Sequence, residues 1–137
     1  MKRVVVDASV VLAGLFKNGT VRDALLNPED VAFLAPAYLK EEVSRHLSQI
    51  ATRAKIPVIT VEAVLDDLLA AIELMPPAVY SGSIQAGRDL ARKVGAIRDA
   101  DYIALALALG APIWTLDKDF SGIPGLRVLS TGDLDRG

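Results

Sequence analysis

The stretch DADYIALALALGAPIWTLD, residues 99–117, constrains the fold more than any other part of the chain. Residues 102–116 are almost wholly apolar, interrupted by Gly110 and Pro112 and bounded by Asp101 and Asp117. Such a run is too short to span a bilayer, which takes about 20 apolar residues. It suits a helix that is apolar all round, and therefore central, stopped by Gly110 and followed by a buried strand. A helix from Asp99 to Gly110 rises about 16 Å. A strand back to Asp117 returns by about 20 Å, so the two acids must end near one another.

The remaining segments alternate in the same way. Residues 2–6 read as a buried strand ending at Asp7, residues 8–16 as a helix, and Lys17-Asn18-Gly19 as a turn. Thr20 is placed to cap a helix over 21–26, Asn27-Pro28 stops it, and 31–35 is a second strand before Pro36. One helix is expected over 37–54, because Leu39, Val43, Leu47, Ile50 and Ala54 form a single apolar stripe. Pro57 breaks the chain, Thr60 is an N-cap candidate, and a helix is expected over 61–74, ended by Pro76-Pro77. Ser83 is expected to cap a helix over 84–94 that Gly95 stops. Strands at 112–116 and 126–129 enclose a loop, and a polar tail starts at Thr131. Short apolar strands alternating with helices predict one α/β domain over 1–137: three layers, α/β/α, around a central, mostly parallel sheet.

Composition removes several kinds of chemistry. With Cys 0 among 137 residues, disulfides, thiolate zinc sites, iron–sulfur clusters and thiol nucleophiles are excluded. Asp7 interrupts the N-terminal apolar run before a signal-peptide core could form, so a cytoplasmic protein without membrane attachment is expected. Fifteen Lys and Arg against seventeen Asp and Glu give a net charge of -2, so any nucleic-acid binding must be local or metal-assisted. Residues 82–87 lack the spacing of a dinucleotide fingerprint, and neither a Walker loop nor a Gly-x-Ser-x-Gly elbow is present.

In an open parallel sheet, ligands bind beyond the carboxyl ends of the strands. Asp7 closes the first strand, Asp117 closes the strand at 112–116, and Asp99 precedes the buried helix. Glu42 lies in the second turn of the helix after the second strand. At about 100° per residue, Glu42 flanks the apolar stripe, whereas Glu41 points to solvent. Four carboxylates from four segments thus approach one edge. Packed together they repel and raise one another's pKa values unless a cation neutralises them. Oxygen ligands without cysteine favour Mg²⁺ or Mn²⁺, ions that activate water for in-line attack on phosphate esters. Phosphodiester hydrolysis fits best.

VVVDASVVL, PAYLKEEVSRHL and RDADYIALALALGAPIWTLDKDF, in this order, resemble the PIN-domain nucleases, and especially the VapC-like toxins of toxin–antitoxin pairs. The resemblance covers nearly the whole chain. It implies a metal-dependent ribonuclease acting on RNA, with an antitoxin partner and a homodimeric state. By position it assigns Asp7, Glu42, Asp99 and Asp117 to the catalytic metal site. It makes Ser9 and Thr115 neighbours within the motifs, with Asp119 as an acid behind the ligands. Some relatives carry a doubled acid where this chain has Arg98-Asp99, so Asp99 is preferred over Asp101 on its spacing to Gly110 and Asp117.

Plainer readings stand beside these. Asp7 and Asp99 are suited to capping helices, which does not exclude metal binding, and Asp117 to a turn. Glu42 has a solvated helix flank as its alternative, and Asp101 and Asp119 read as first-turn or loop charges. His46 reads as an ordinary helix residue, Trp114 as core, and Arg88, Arg92, Lys93 and Arg98 as a solvated basic face. Two other functions remain open. One is a Mg²⁺-binding receiver-like signalling module; the other is an inactive PIN-like binding module using Leu65, Leu68 and Ile72 as an apolar surface.

Overall fold

The computed structural model describes residues 1–134 and contains a five-stranded sheet in which every neighbouring pair is parallel. Strand β1 (Lys2–Val6) is followed by α1 (Ala8–Phe16), α2 (Thr20–Leu26) and β2 (Val31–Pro36). Next come α3 (Tyr38–Ser44), α4 (Leu47–Ala54), α5 (Val58–Ala70) and β3 (Ile72–Met75). Two short 3-10 turns lead to α6 (Ile84–Lys93), and another leads to α7 (Ala100–Leu109). The chain then forms β4 (Ile113–Trp114), β5 (Val128–Leu129) and the single turn α8 (Thr131–Leu134). The last three residues of the polar tail, 135–137, lie outside the described residues.

Strand order is β3-β2-β1-β4-β5. The chain therefore winds outward from β1 through β2 to β3, then crosses to the other side of β1. The direction reverses between β1 and β4, and that switch point is where an open α/β sheet forms its ligand crevice. Receiver modules of the CheY kind have the order 2-1-3-4-5. The observed order is different, so the receiver-like reading is set aside.

Helices form two groups. Helix α6 packs on α7, which lies against β1, β2 and β4; α1 gathers α2, α3, α4 and α5 around itself. Between them, Val5, Val6, Leu39, Leu68, Tyr102, Ile113 and Trp114 are fully buried, and the Phe33 and Trp114 rings pack with centroids 5.6 Å apart. Trp114 donates its indole N–H to Thr131 Oγ1 at 3.2 Å, which satisfies the one polar atom of that core residue.

Several sequence expectations change. The helix expected over 37–54 is two helices, because the chain tightens at Arg45 and His46, where the His46 N–H bonds to Val43 O rather than continuing the α pattern. The apolar stripe survives the break, with Leu39, Val43, Ile50 and Ala51 buried. The helix expected over 61–74 starts earlier, behind Pro57 rather than Thr60, and stops at Ala70. Its apolar continuation is β3, registered on β2 from Phe33↔Ile72 to Pro36↔Met75. Pairing the open edge of β2 wins over helical periodicity there. Leu65, Leu68 and Ile72 are core residues, so the surface on which an inactive binding module would rely is consumed by packing. Gly19, not Thr20, precedes α2, and Ser83 makes no capping hydrogen bond to α6. The strands expected at 112–116 and 126–129 shorten to two residues each.

Two glycines are required by geometry. Gly110 ends α7 in the left-handed region, φ 61°, which lets the chain reverse into β4. Gly87 lets α6 approach α7: a Cβ there would lie 2.7 Å from Ala100 O and 3.0 Å from Ala104. Alanine gains about 1 kcal/mol of helix propensity, but overpacking against a backbone carbonyl costs about 1–3 kcal/mol. Gly87→Ala should therefore lower the urea midpoint of unfolding; a midpoint at or above the wild-type value would contradict this packing.

Candidate active site

Asp7 is the last residue before α1 and is 2% exposed. Its Oδ1 accepts the Ser9 hydroxyl at 2.6 Å and the Val10 N–H at 3.3 Å, and its Oδ2 accepts the Thr115 hydroxyl at 2.5 Å. The capping role is thus real, and it coexists with a position at the switch point. Burial pushes the Asp7 carboxyl above its ordinary range and Asp117 adds to the rise, while the three donors pull against it.

Ser9 and Thr115 do more than neighbour the acids. The Ser9 hydroxyl accepts the Leu116 N–H at 3.0 Å while donating to Asp7, and the Thr115 hydroxyl accepts the Asp117 N–H at 3.0 Å while donating to Asp7. Each hydroxyl carries one proton, and both protons go to Asp7. The 3.4 Å approach of the two hydroxyl oxygens is therefore a contact with no proton left to share. These bonds tie the carboxyl end of β1 to that of β4.

Asp99 closes a 3-10 turn ahead of α7 without capping it through its side chain. Burial first, then the charges of Asp7, Glu42, Asp117 and Asp119, push its carboxyl up to about 7. The charges of Asp7, Glu42 and Asp117, the other three sequence-selected acids, therefore all reach this residue. Asp117 begins the turn after β4 and accepts the Asp119 N–H at 2.9 Å, so its turn role is also real. Asp119 itself is exposed. Glu42 is half-buried on α3 and Glu41 exposed, as the stripe geometry requires.

Two tyrosines complete the picture, and the sequence reading missed both. Tyr102, fully buried on α7, donates its hydroxyl to Glu42 Oε1 at 2.5 Å. Tyr80 donates to Asp101 Oδ2 at 2.9 Å. Burial and the adjacent carboxylate raise both phenols, Tyr80 to about 12. Asp101 is thereby engaged by Tyr80 instead of joining the acids around Asp99. A tyrosine three residues after Asp99 in an otherwise aliphatic helix is the available signal, since a buried phenol needs a partner. His46 lines a groove with Leu12, Phe16 and Arg53, away from the acids. Arg92 pairs with Asp89 at 3.6 Å on the exposed face of α6.

Among the described residues, no group of three or more Asp, Glu or His side chains is gathered closely enough to hold a metal ion. The donor chemistry nonetheless fits a hard divalent ion: the groups are carboxylate oxygens, their like charges raise Asp99, and Mg²⁺ needs only one or two carboxylates beside its waters.

A family model described as the PIN domain matches residues 5–135, and the chain belongs to that family. Solved structures share the fold at low identity. VapBC2 from Rickettsia felis, bound to a DNA fragment from its promoter, aligns with TM-score 0.70 at 16% identity, covering 93% of this chain and 98% of that one. PAE2754 from Pyrobaculum aerophilum aligns with TM-score 0.69 at 18% identity, covering 98% and 88%. DNA-bound VapBC from Salmonella typhimurium aligns with TM-score 0.64 at 20% identity, covering 96% and 99%. No curated protein sequence matches the chain. Among the described residues, no helix is long and apolar enough to cross a membrane.

The Asp99 shift has a definite sign. Unfolded, the carboxyl titrates near 3.8; folded and metal-free, it holds its proton to about 7. That proton contributes stability below pH 4, and the contribution is lost as pH rises to about 7. In EDTA, wild type should therefore lose urea resistance between pH 4 and 7 relative to Asp99→Asn. Parallel curves for the two proteins would contradict the clustering of acids.

Proposed function

We propose that this protein is a Mg²⁺- or Mn²⁺-dependent endoribonuclease, the toxin of a toxin–antitoxin pair. The observation that carries the reading is the buried Asp7 at the switch point of a PIN-family sheet, joined through Ser9 and Thr115 to the end of β4 that carries Asp117. Asp7, Asp99 and Asp117 would hold the ion, with Glu42 completing the site or taking the proton of the attacking water. A bound Mg²⁺ or Mn²⁺ would acidify water for in-line attack and offset charge on the phosphoryl oxygens.

The chain's own residues set the conditions for that chemistry. Ser9 and Thr115 keep both oxygens of Asp7 in place, so the most buried acid does not have to reorganise when charge develops nearby. Asp99, near pH 7, must give up its proton before it can act as a ligand, so ion affinity rises with pH through neutrality. Asp119 orients Asp117 through its backbone N–H. A cation is also what allows an acidic crevice to accept a polyanion.

The antitoxin and the homodimer belong to the same proposal. Two of the similar structures are VapBC complexes on DNA, and VapC-like toxins, which the chain resembles, act beside an antitoxin and pair with themselves. Cytoplasmic action on RNA follows from the same reading.

Cleavage of a structured RNA pool by wild type and Asp7→Asn, each in EDTA and with added Mn²⁺ or Mg²⁺, tests metal, reaction and residue together. Metal-dependent cutting by wild type, reduced about a hundredfold or more in the variant, is expected, because removing a ligand removes the activated water. Cutting that persists in EDTA, or in Asp7→Asn, would sink the proposal.

A further inference from the structure

Glu42 differs from the three aspartates in how it reaches the site. It comes from α3, seven residues long, on a side chain with three soft torsions, and α3 ends two residues later at Ser44. Nothing in its own helix fixes where the carboxylate points. Tyr102 does. Its ring is fully buried on α7, three residues beyond Asp99, and its hydroxyl donates to Glu42 Oε1 at 2.5 Å across sixty residues of sequence. A phenol locked in the core by its ring is a rigid donor, and a hydrogen bond to an ionised acceptor is among the stronger kinds. With one oxygen of Glu42 held, the lone pairs of the other are left for the acids' common ligand. Tyr102 lies in the first turn of α7, directly after Asp99, so the bond brings the Glu42 carboxylate to the end of α7 that carries Asp99.

We propose that Tyr102 is a positioning residue: its hydroxyl holds Glu42 toward Asp99 and the other acids, so that Glu42 meets a divalent cation in one orientation. The inference rests on the nuclease reading above. It gives Glu42 the kind of support that Ser9 and Thr115 give Asp7, from a residue type that hydrolyses nothing itself. The competing account is that a buried phenol simply needed an acceptor and Glu42 was within reach. The two accounts differ in whether the hydroxyl matters when Glu42 is no longer a carboxylate.

The test is a double-mutant cycle on the full-length protein with Tyr102→Phe, Glu42→Gln and the pair. Asp7→Asn serves as a control. Mn²⁺ dissociation constants from calorimetry, thermal unfolding in EDTA, and kcat and KM on RNA are read for each. Tyr102→Phe keeps the ring, so its unfolding midpoint in EDTA should stay within a few degrees of wild type. Its Mn²⁺ affinity should fall roughly tenfold or more, the usual effect of removing a group that orients a ligand. Its kcat should fall more than its KM changes. In the Glu42→Gln background the same substitution should change Mn²⁺ affinity by less than about twofold, within the usual additivity error. Glu42→Asp, which keeps the charge but shortens its reach to Tyr102, should also weaken Mn²⁺ binding and leaves the core untouched.

Wild-type Mn²⁺ affinity in Tyr102→Phe, or in Glu42→Asp, would overturn the inference. So would an equal loss from Tyr102→Phe in both backgrounds, because that is a general structural effect. If Asp7→Asn abolishes binding while Tyr102→Phe does not alter it, the nuclease reading stands and only the role of Tyr102 falls. A wild type that neither binds Mn²⁺ nor cuts RNA overturns both.

Discussion

A carboxylate buried between two parallel strands is costly unless it is hydrogen-bonded, and Asp7 is the group on which the rest of this arrangement depends. It sits at the switch point between β1 and β4, the one place where the crossovers leave a crevice. Removing it from water is offset by the Ser9 and Thr115 hydroxyls and the Val10 N–H. The same hydroxyls accept the Leu116 and Asp117 N–H groups, so holding the charge and joining the strand ends are one operation. Loss of Asp7 would leave the buried Thr115 hydroxyl and the half-buried Ser9 hydroxyl without their acceptor, which links the candidate chemistry directly to the stability of the sheet edge.

The core supplies the opposite constraint. Helix α7 is apolar on nearly every side because it lies between the sheet and α6, and the close approach at Gly87 sets how far its N-terminus can shift. Asp99 and Tyr102 are carried by that N-terminus, one directly before the helix and one in its first turn. Packing therefore fixes two of the groups near the acids, while the 3-10 turn after β4 and the short α3 carry Asp117 and Glu42. Burial first, and then the like charges carried by these elements and by the end of β1, raise the Asp99 carboxyl.

Much of this was legible in the sequence, because the decisive signals were local or could be measured along the chain. The apolar block from Asp99 to Asp117 required an outward helix and a returning strand, and α7, Gly110 and β4 are that pair. Asp7 after Val4-Val5-Val6 and Glu42 beside the Leu39–Val43 stripe were readable from period and position. What escaped was decided by partners distant in sequence. β3 continues an apolar helical pattern, and only the open edge of β2 makes it a strand. The break at His46 has no proline or glycine to announce it. The bonds from Tyr102 to Glu42 and from Tyr80 to Asp101 join segments that no spacing rule connects. Thr115 was placed beside the acids by resemblance, but its double role, donor to Asp7 and acceptor for Asp117, needed the register of β1 on β4.

Asp7, Glu42, Asp99 and Asp117 are proposed to share one divalent cation at this switch point. Crystals grown with Mn²⁺ and measured at an energy where manganese scatters anomalously test it most directly. One dominant anomalous peak is expected beyond the carboxyl ends of β1 and β4, within about 2–2.5 Å of carboxylate oxygens from at least two of these residues and surrounded by waters. A peak bound elsewhere on the protein, with these four side chains still arranged around empty solvent at millimolar Mn²⁺, would contradict it.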